Sequence, residues 1–218
     1  MAGLNCGVKL LLDKRYHEAV ATFTSLLGRL RAQRSCMEDE EGQASFDQKD
    51  EHQWVHFLHP IQRQDLNDSE CFIFASPLII VDCPTASTKP PSNLTLSLMT
   101  VYNLALTYHL GATETKPCDS IFRKALSFYQ LAHNIQQVPN DLGNDISTLL
   151  SIGISNNIGH IHGYVGHQDK ATQCFQHLLN TIMYVTGCGW TSQKVPQIDG
   201  FLHNVQSWVL KQQPAPAA

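Results

Sequence analysis

The chain has 218 residues, 43% of them hydrophobic and 16% charged, with a formal net charge of −4. So apolar a chain is not disordered throughout, and no run reaches the ~18 uninterrupted apolar residues that a membrane span needs. The balance of charge offers no basic surplus for neutralising phosphates, which argues against nucleic acid as a partner.

A chain of this length buries a sizeable core, either as one compact domain or as one short solenoid. Near its start, Lys9, Asp13, Lys14, Arg15 and Glu18 interrupt the apolar run before a secretory h-region forms, so no signal peptide is expected. Ala2 stands where myristoylation needs glycine, and the Pro/Ala-rich end carries no prenylation or retrieval motif. Cys6, Cys36, Cys71, Cys83, Cys118, Cys174 and Cys188 are odd in number and form no CxxC pair, a pattern of free thiols in a reducing compartment. The expected setting is intracellular, cytoplasmic or nuclear, without membrane contact. The sequons at Asn67 and Asn93 are then chance matches.

Taken in order, residues 1–36 read as a helix pair, LNCGVKLLL and YHEAVATFTSLLGRLRAQR, turned at Asp13-Lys14-Arg15. Ala19, Phe23, Leu26, Leu27 and Leu30 recur at helical period and give the second helix one apolar face. Arg29, Arg31 and Arg34 on its other side complement the dipole of its last turns. Residues 37–53 turn acidic and lose all periodicity, which predicts a solvated loop. Within 54–93, the blocks Trp54–His59 and Cys71–Val81 are rich in aromatic and β-branched residues, as strands are. They predict a small β-hairpin or extended arm, with Pro77 at an edge, bulge or break because it has no N–H for a ladder. PTASTKPPSN then reads as a linker.

Helical period returns in residues 94–138, again as a pair, LTLSLMTVYNLALTYHL and DSIFRKALSFYQLAHNIQQ, the second with Asp119 placed to cap it. A third pair fills 144–186, starting near Asn144 or Asp145 and turning at Gly166. Residues 196–211 form a terminal amphipathic helix with Phe201, Leu202, Val205, Trp208 and Val209 on its apolar side, and 212–218 form a disordered tail.

The three pairs share an internal register. Gly7, Leu10, Ala19, Phe23 and Leu26 recur at identical spacing as Gly159, His162, Ala171, Phe175 and Leu178. The second pair supplies Ala105 and Tyr108, then Ala125, Tyr129 and Ala132 after eight extra residues. A small residue lets two helices approach and the aromatic fills the space beside the crossing, so each pair buries little alone and must stack on the next.

This pattern resembles the tetratricopeptide repeat (TPR), over residues 4–34, 98–136 and 152–184. It departs from that family in having no tryptophan early in the first helix and no closing proline, and in carrying Leu26 and Leu178 where a small residue is usual. A closer likeness is to a group of uncharacterised TPR-like proteins from unicellular algae, which share the phrases NNIGHIH, CFQHLL and DGF-x-x-NV and bring no activity with them. The resemblance implies a mainly α fold, a right-handed α-solenoid of about three helix hairpins plus a terminal helix, with the β-like arm inserted. It also implies a non-enzymatic adaptor that binds an extended protein segment in a concave groove.

Asn5, Asn103 and Asn157 each lie two residues before the small position of a first helix, and Asn204 occupies a comparable place in the terminal helix. An amide both donates and accepts, so a row of them can hold a peptide backbone with little preference for sequence. The same face carries Val8 and Leu12, then Met99, Leu106 and Leu110, then Gly153, His160 and Tyr164, with Tyr102 alongside. Lysine and arginine for gripping a terminal carboxylate are missing there. Such an apolar surface is either a site for a protein or peptide segment or already filled, and the hydrophobic arm from Cys71 to Val81 is the internal candidate to fill it. In the second case the chain is a structural subunit contacting partners through the arm or its outer face.

Eleven histidines invite a metal reading, above all His160, His162 and His167, or Cys174 with His177. Helical geometry sets His160 and His162 about 200° apart, and His162 falls on the core aromatic position. His56 and His59 would lie on opposite faces of a strand. No P-loop, GxSxG, HExxH or dinucleotide fingerprint is present. No metal, cofactor or catalytic residue is therefore expected.

Overall fold

The computed structural model describes residues 1–37, 55–58, 71–81, 91–114, 118–190 and 197–211. The expectations for most of the acidic stretch, for Trp54 and His59, for most of the Pro-rich linker and for the tail lie outside them. Within the described residues the chain is mainly helical with one small antiparallel sheet: α1 (Ala2–Leu12), α2 (Tyr16–Met37), β1 (Val55–Phe57), β2 (Leu78–Ile80), α3 (Asn93–Glu114), α4 (Asp119–Gln136), α5 (Asn144–Tyr164), α6 (Gln168–Gly187) and α7 (Ile198–Lys211). It divides into two compact units, Met1–Pro60 with Ser76–Ile146, and Ile61–Ala75 with Ser147–Ala218.

In the first unit α1 packs on α2, α2 on α3 and α3 on α4. Gly7 lets α1 meet α2 so closely that a Cβ there would overlap the Phe23 ring. α3 is buried from Leu98 to Thr107 without a break, because helices and strand surround it. Its polar residues fit that setting by bonding locally: the hydroxyls of Thr100 and Thr107 donate to the carbonyls of Leu96 and Asn103 at 2.6 and 2.7 Å. Tyr129 on α4 packs its ring against Tyr102 and His109 of α3. The start of α3 is capped by Ser92, whose Oγ accepts from the Thr95 N–H at 3.2 Å, while Asp141 accepts from the Ser92 N–H at 2.8 Å.

One cap differs from expectation. Cys118, not Asp119, occupies the N-cap of α4, and it makes no side-chain cap bond. Asp119 is already the first helical residue, where its carboxylate acts on the exposed N–H groups through charge.

β1 and β2 pair in the register Val55 with Ile80, His56 with Ile79 and Phe57 with Leu78. Pro77 sits just before β2, and its carbonyl accepts from the Leu58 N–H at 2.8 Å. The residue that cannot donate thus ends the ladder.

The second unit contains α6 packed on α7, with α5 held to α6 at Gly159, which faces the ring of Phe175. Phe175 also packs on Trp208 of α7, ring centroids 5.6 Å apart. The extended residues 71–75 belong to this unit and rest on Phe201 of α7.

The first and third helix pairs turn alike. After α1 the Arg15 N–H reaches the Leu10 carbonyl at 2.9 Å and the Lys14 N–H reaches Leu11 at 3.1 Å; after α5, His167 reaches His162 at 2.9 Å and Gly166 reaches Gly163 at 3.4 Å. This is the Schellman closure, whose left-handed residue is Lys14 (φ 59) in one turn and Gly166 (φ 80) in the other.

Candidate functional site

An extended residue projects its N–H and C=O to the same side, and a primary amide presents one acceptor and one donor at matching separation. Asparagine can therefore stand in for a neighbouring strand at a single residue. In the first unit Asn103 does so with Leu78, accepting its N–H at 2.9 Å and donating to its carbonyl at 2.8 Å. Asn5 does the same with Ile80, at 3.1 and 2.8 Å. Leu78 and Ile80 are alternate residues, so both face the helices, while His56 and Leu58 meet the odd-numbered residues Ile79 and Pro77 on the other edge. The carbonyl of Ser76, the next in that alternation, accepts from the Tyr102 hydroxyl at 3.0 Å. Burial, and then Tyr129, holds that phenol well above its ordinary range, so it remains a donor.

In the second unit the same device acts on the other part of the segment. Asn157 accepts the Phe74 N–H at 2.9 Å and donates to the Phe74 carbonyl at 3.0 Å. Asn204 holds Phe72 with two bonds of 2.7 Å. Asn156 joins them: it accepts from Asn204 at 2.7 Å and donates to the Asn157 oxygen and the Phe72 carbonyl, both at 3.1 Å. Asn103, Asn156, Asn157 and Asn204 are buried, and Asn5 is exposed.

The asparagines Asn5, Asn103, Asn157 and Asn204 thus all lie on the main chain of this protein's own residues 72–80. Tyr102 joins the first set, with Phe57 packed edge-on against its ring at 6.3 Å. Leu106 is fully enclosed in the first unit, as are Val8 and Met99, so none of them forms an open groove wall. Leu12 is exposed. His160 lies half-buried on α5, and burial lowers its imidazole to about 4. Tyr164 ends the same helix with 48% of its surface exposed.

Sequence reasoning missed Asn156 and Gly200, and it placed Gly153 on the groove face without seeing that a ring would lie over it. A Cβ on Gly153 would overlap the Phe74 ring, and one on Gly200 would lie 2.5 Å from Phe72 Cδ2. Both glycines stand four residues before an asparagine, Gly153 before Asn157 and Gly200 before Asn204, one helical turn away on the same face. That Gly-x-x-x-Asn spacing was visible in the sequence, but its meaning depends on the aromatic ring laid over the glycine.

His162 is buried and its Nδ1 lies 3.4 Å from that of His167; burial, then Lys170 and His167, lower its basicity. Among the described residues no three His, Cys, Asp or Glu side chains are grouped to hold a metal ion, and no helix is long and apolar enough to cross a membrane. Set against known proteins, the chain matches no family model, no curated protein and no solved structure.

Proposed function

We propose that this chain is a non-catalytic interaction subunit built from TPR-like helix pairs of the α-solenoid class, in which the amides suited to holding a peptide are occupied by its own residues 72–80. Its contacts to other proteins then run through the inserted arm or the outer helix faces. The observation that carries this reading is the pairing of all four asparagines with alternate residues of one internal segment, Phe72, Phe74, Leu78 and Ile80. The repeat likeness is supported by equivalent contacts, Gly7 on Phe23 and Gly159 on Phe175, and by equivalent turns at Lys14 and Gly166.

A second reading, the adaptor whose groove takes up a partner segment, is favoured by the character of the bonds. They go to main-chain atoms, which any extended chain offers. Amide hydrogen exchange separates the two. With a co-purified partner bound, protection at Phe72, Phe74, Leu78 and Ile80 stays unchanged if contacts lie outside the asparagines. Loss of that protection on binding overturns the filled-groove reading in favour of displacement.

A further inference from the structure

The second unit selects what it holds. We infer that it is a receptor for extended segments carrying aromatic side chains two residues apart, a Phe-x-Phe pattern, and that it accepts such a segment from another chain when its own is withdrawn. The inference rests on the asparagines being holders of extended main chain, as proposed above, and adds which side chains the held chain must carry.

Two kinds of contact combine here. Asn157 and Asn204 fix the backbone of residues two apart, which sends both side chains to the same face. On that face the helices are cut away to meet rings. Gly153 lies directly under Phe74 and Gly200 under Phe72, each with no room for even a methyl group. Phe201 is shared, its ring centroid 5.2 Å from Phe72 in an edge-on arrangement and 5.4 Å from Phe74. Flat rings satisfy these shallow seats, whereas a small side chain would leave both glycines facing a void.

The seats are graded. Phe74 is fully buried and Phe72 half-buried, so a hydroxyl is tolerated at the first position and disfavoured at the second, where it would be stripped of water. The adjoining Cys71 is exposed and Ile73 half-buried, so the segment runs along the surface of the unit. All of these contacts are made by residues 72 and 74, and none depends on the covalent connection of the segment to the rest of the chain. That connection supplies only effective concentration, on the order of millimolar for a flexible tether, against which a free peptide must compete.

The test uses the full-length chain with Phe72→Ala and Phe74→Ala and a fluorescent peptide, Ser-Phe-Ile-Phe-Ala-Ser, copying residues 71–76 with serine for cysteine. Fluorescence anisotropy is expected to show binding to this chain at least about tenfold tighter than to the wild type, whose seats are filled. Adding Gly153→Ala or Gly200→Ala, or replacing the second peptide Phe by Ala, should each weaken binding by about tenfold or more. A folded double variant that binds no peptide, or that binds an all-Ala peptide equally well, overturns the inference. Should that variant fail to fold, the wild type under excess peptide decides: faster amide exchange at Phe72 and Phe74 supports the inference, and unchanged exchange overturns it. Protected wild-type amides beside absent peptide binding would leave the self-filled reading standing while this one falls.

Discussion

Asn103 and Leu78, 25 residues apart in sequence, form a two-point pair in which a fully buried amide replaces a strand. Removing that amide leaves a peptide N–H and C=O without partners in a dry setting, each costing about 1–3 kcal/mol. Asn103→Ala should therefore lower unfolding free energy by about 3 kcal/mol in urea titration. Asn103→Asp should not restore it, because a buried carboxylate would face the Leu78 carbonyl. Asn5→Ala, at an exposed position where water can replace the amide, should cost about 1 kcal/mol or less.

The glycines of equivalent position differ in consequence. Gly7→Ala pushes a methyl into the Phe23 ring and should destabilise by about 1–3 kcal/mol. Gly159→Ala, whose Cβ would lie 3.0 Å from Phe175, should cost less, since the ring need shift only slightly. Gly28→Ala and Gly163→Ala, in helices with open space around the new methyl, should stabilise by about 0.5–1 kcal/mol each through helix propensity. Thermal melts of the four single variants check this order.

The two Schellman turns predict opposite signs for exchanges at equivalent places. Lys14→Gly should stabilise by about 1 kcal/mol because it relieves a side chain at positive φ. The ion pair that Lys14 makes with Glu114 at 3.1 Å is more than half exposed on the lysine side, so its loss offsets little. Gly166→Ala should destabilise by a similar amount. Chemical denaturation of both variants measures it.

His160 makes stability depend on acid. Its folded pKa, about 4, lies below the ordinary 6.5, so the unfolded chain binds the extra proton first. This group costs nothing above pH 6.5. Between 6.5 and 4 stability falls as pH falls, and below 4 the loss levels off. His160→Gln should flatten that part of the curve, and an NMR titration of the imidazole should give a midpoint of about 4, well below the ordinary 6.5.

Much of the helical layout was legible because amphipathic period is a local signal. The three pairs and the terminal helix begin and end within a few residues of where period, proline and glycine place them. The strand-like blocks were legible through composition, and Pro77 fell at the end of the ladder, where its missing N–H breaks the pairing. Asn5, Asn103 and Asn157 were singled out by their spacing to the small residues together with the concave face that the repeat resemblance implies, and Asn204 by its place in the terminal helix. Asp119 was misplaced by one residue because a carboxylate serves either as a cap or in the first turn, and the sequence does not distinguish them.

What the sequence by itself determined, then, was a set of helix pairs with small residues at their crossings, an amide two residues before the small position on three first helices, and a further amide, Asn204, on the terminal helix. Only the tertiary structure decided what those amides hold. A hydrogen bond is chosen by proximity in space, and Phe72 meets Asn204 from 132 residues away. It is also the fold that turned Gly153 and Gly200 into seats for rings, since a missing Cβ acquires meaning only from the atom that comes to lie over it.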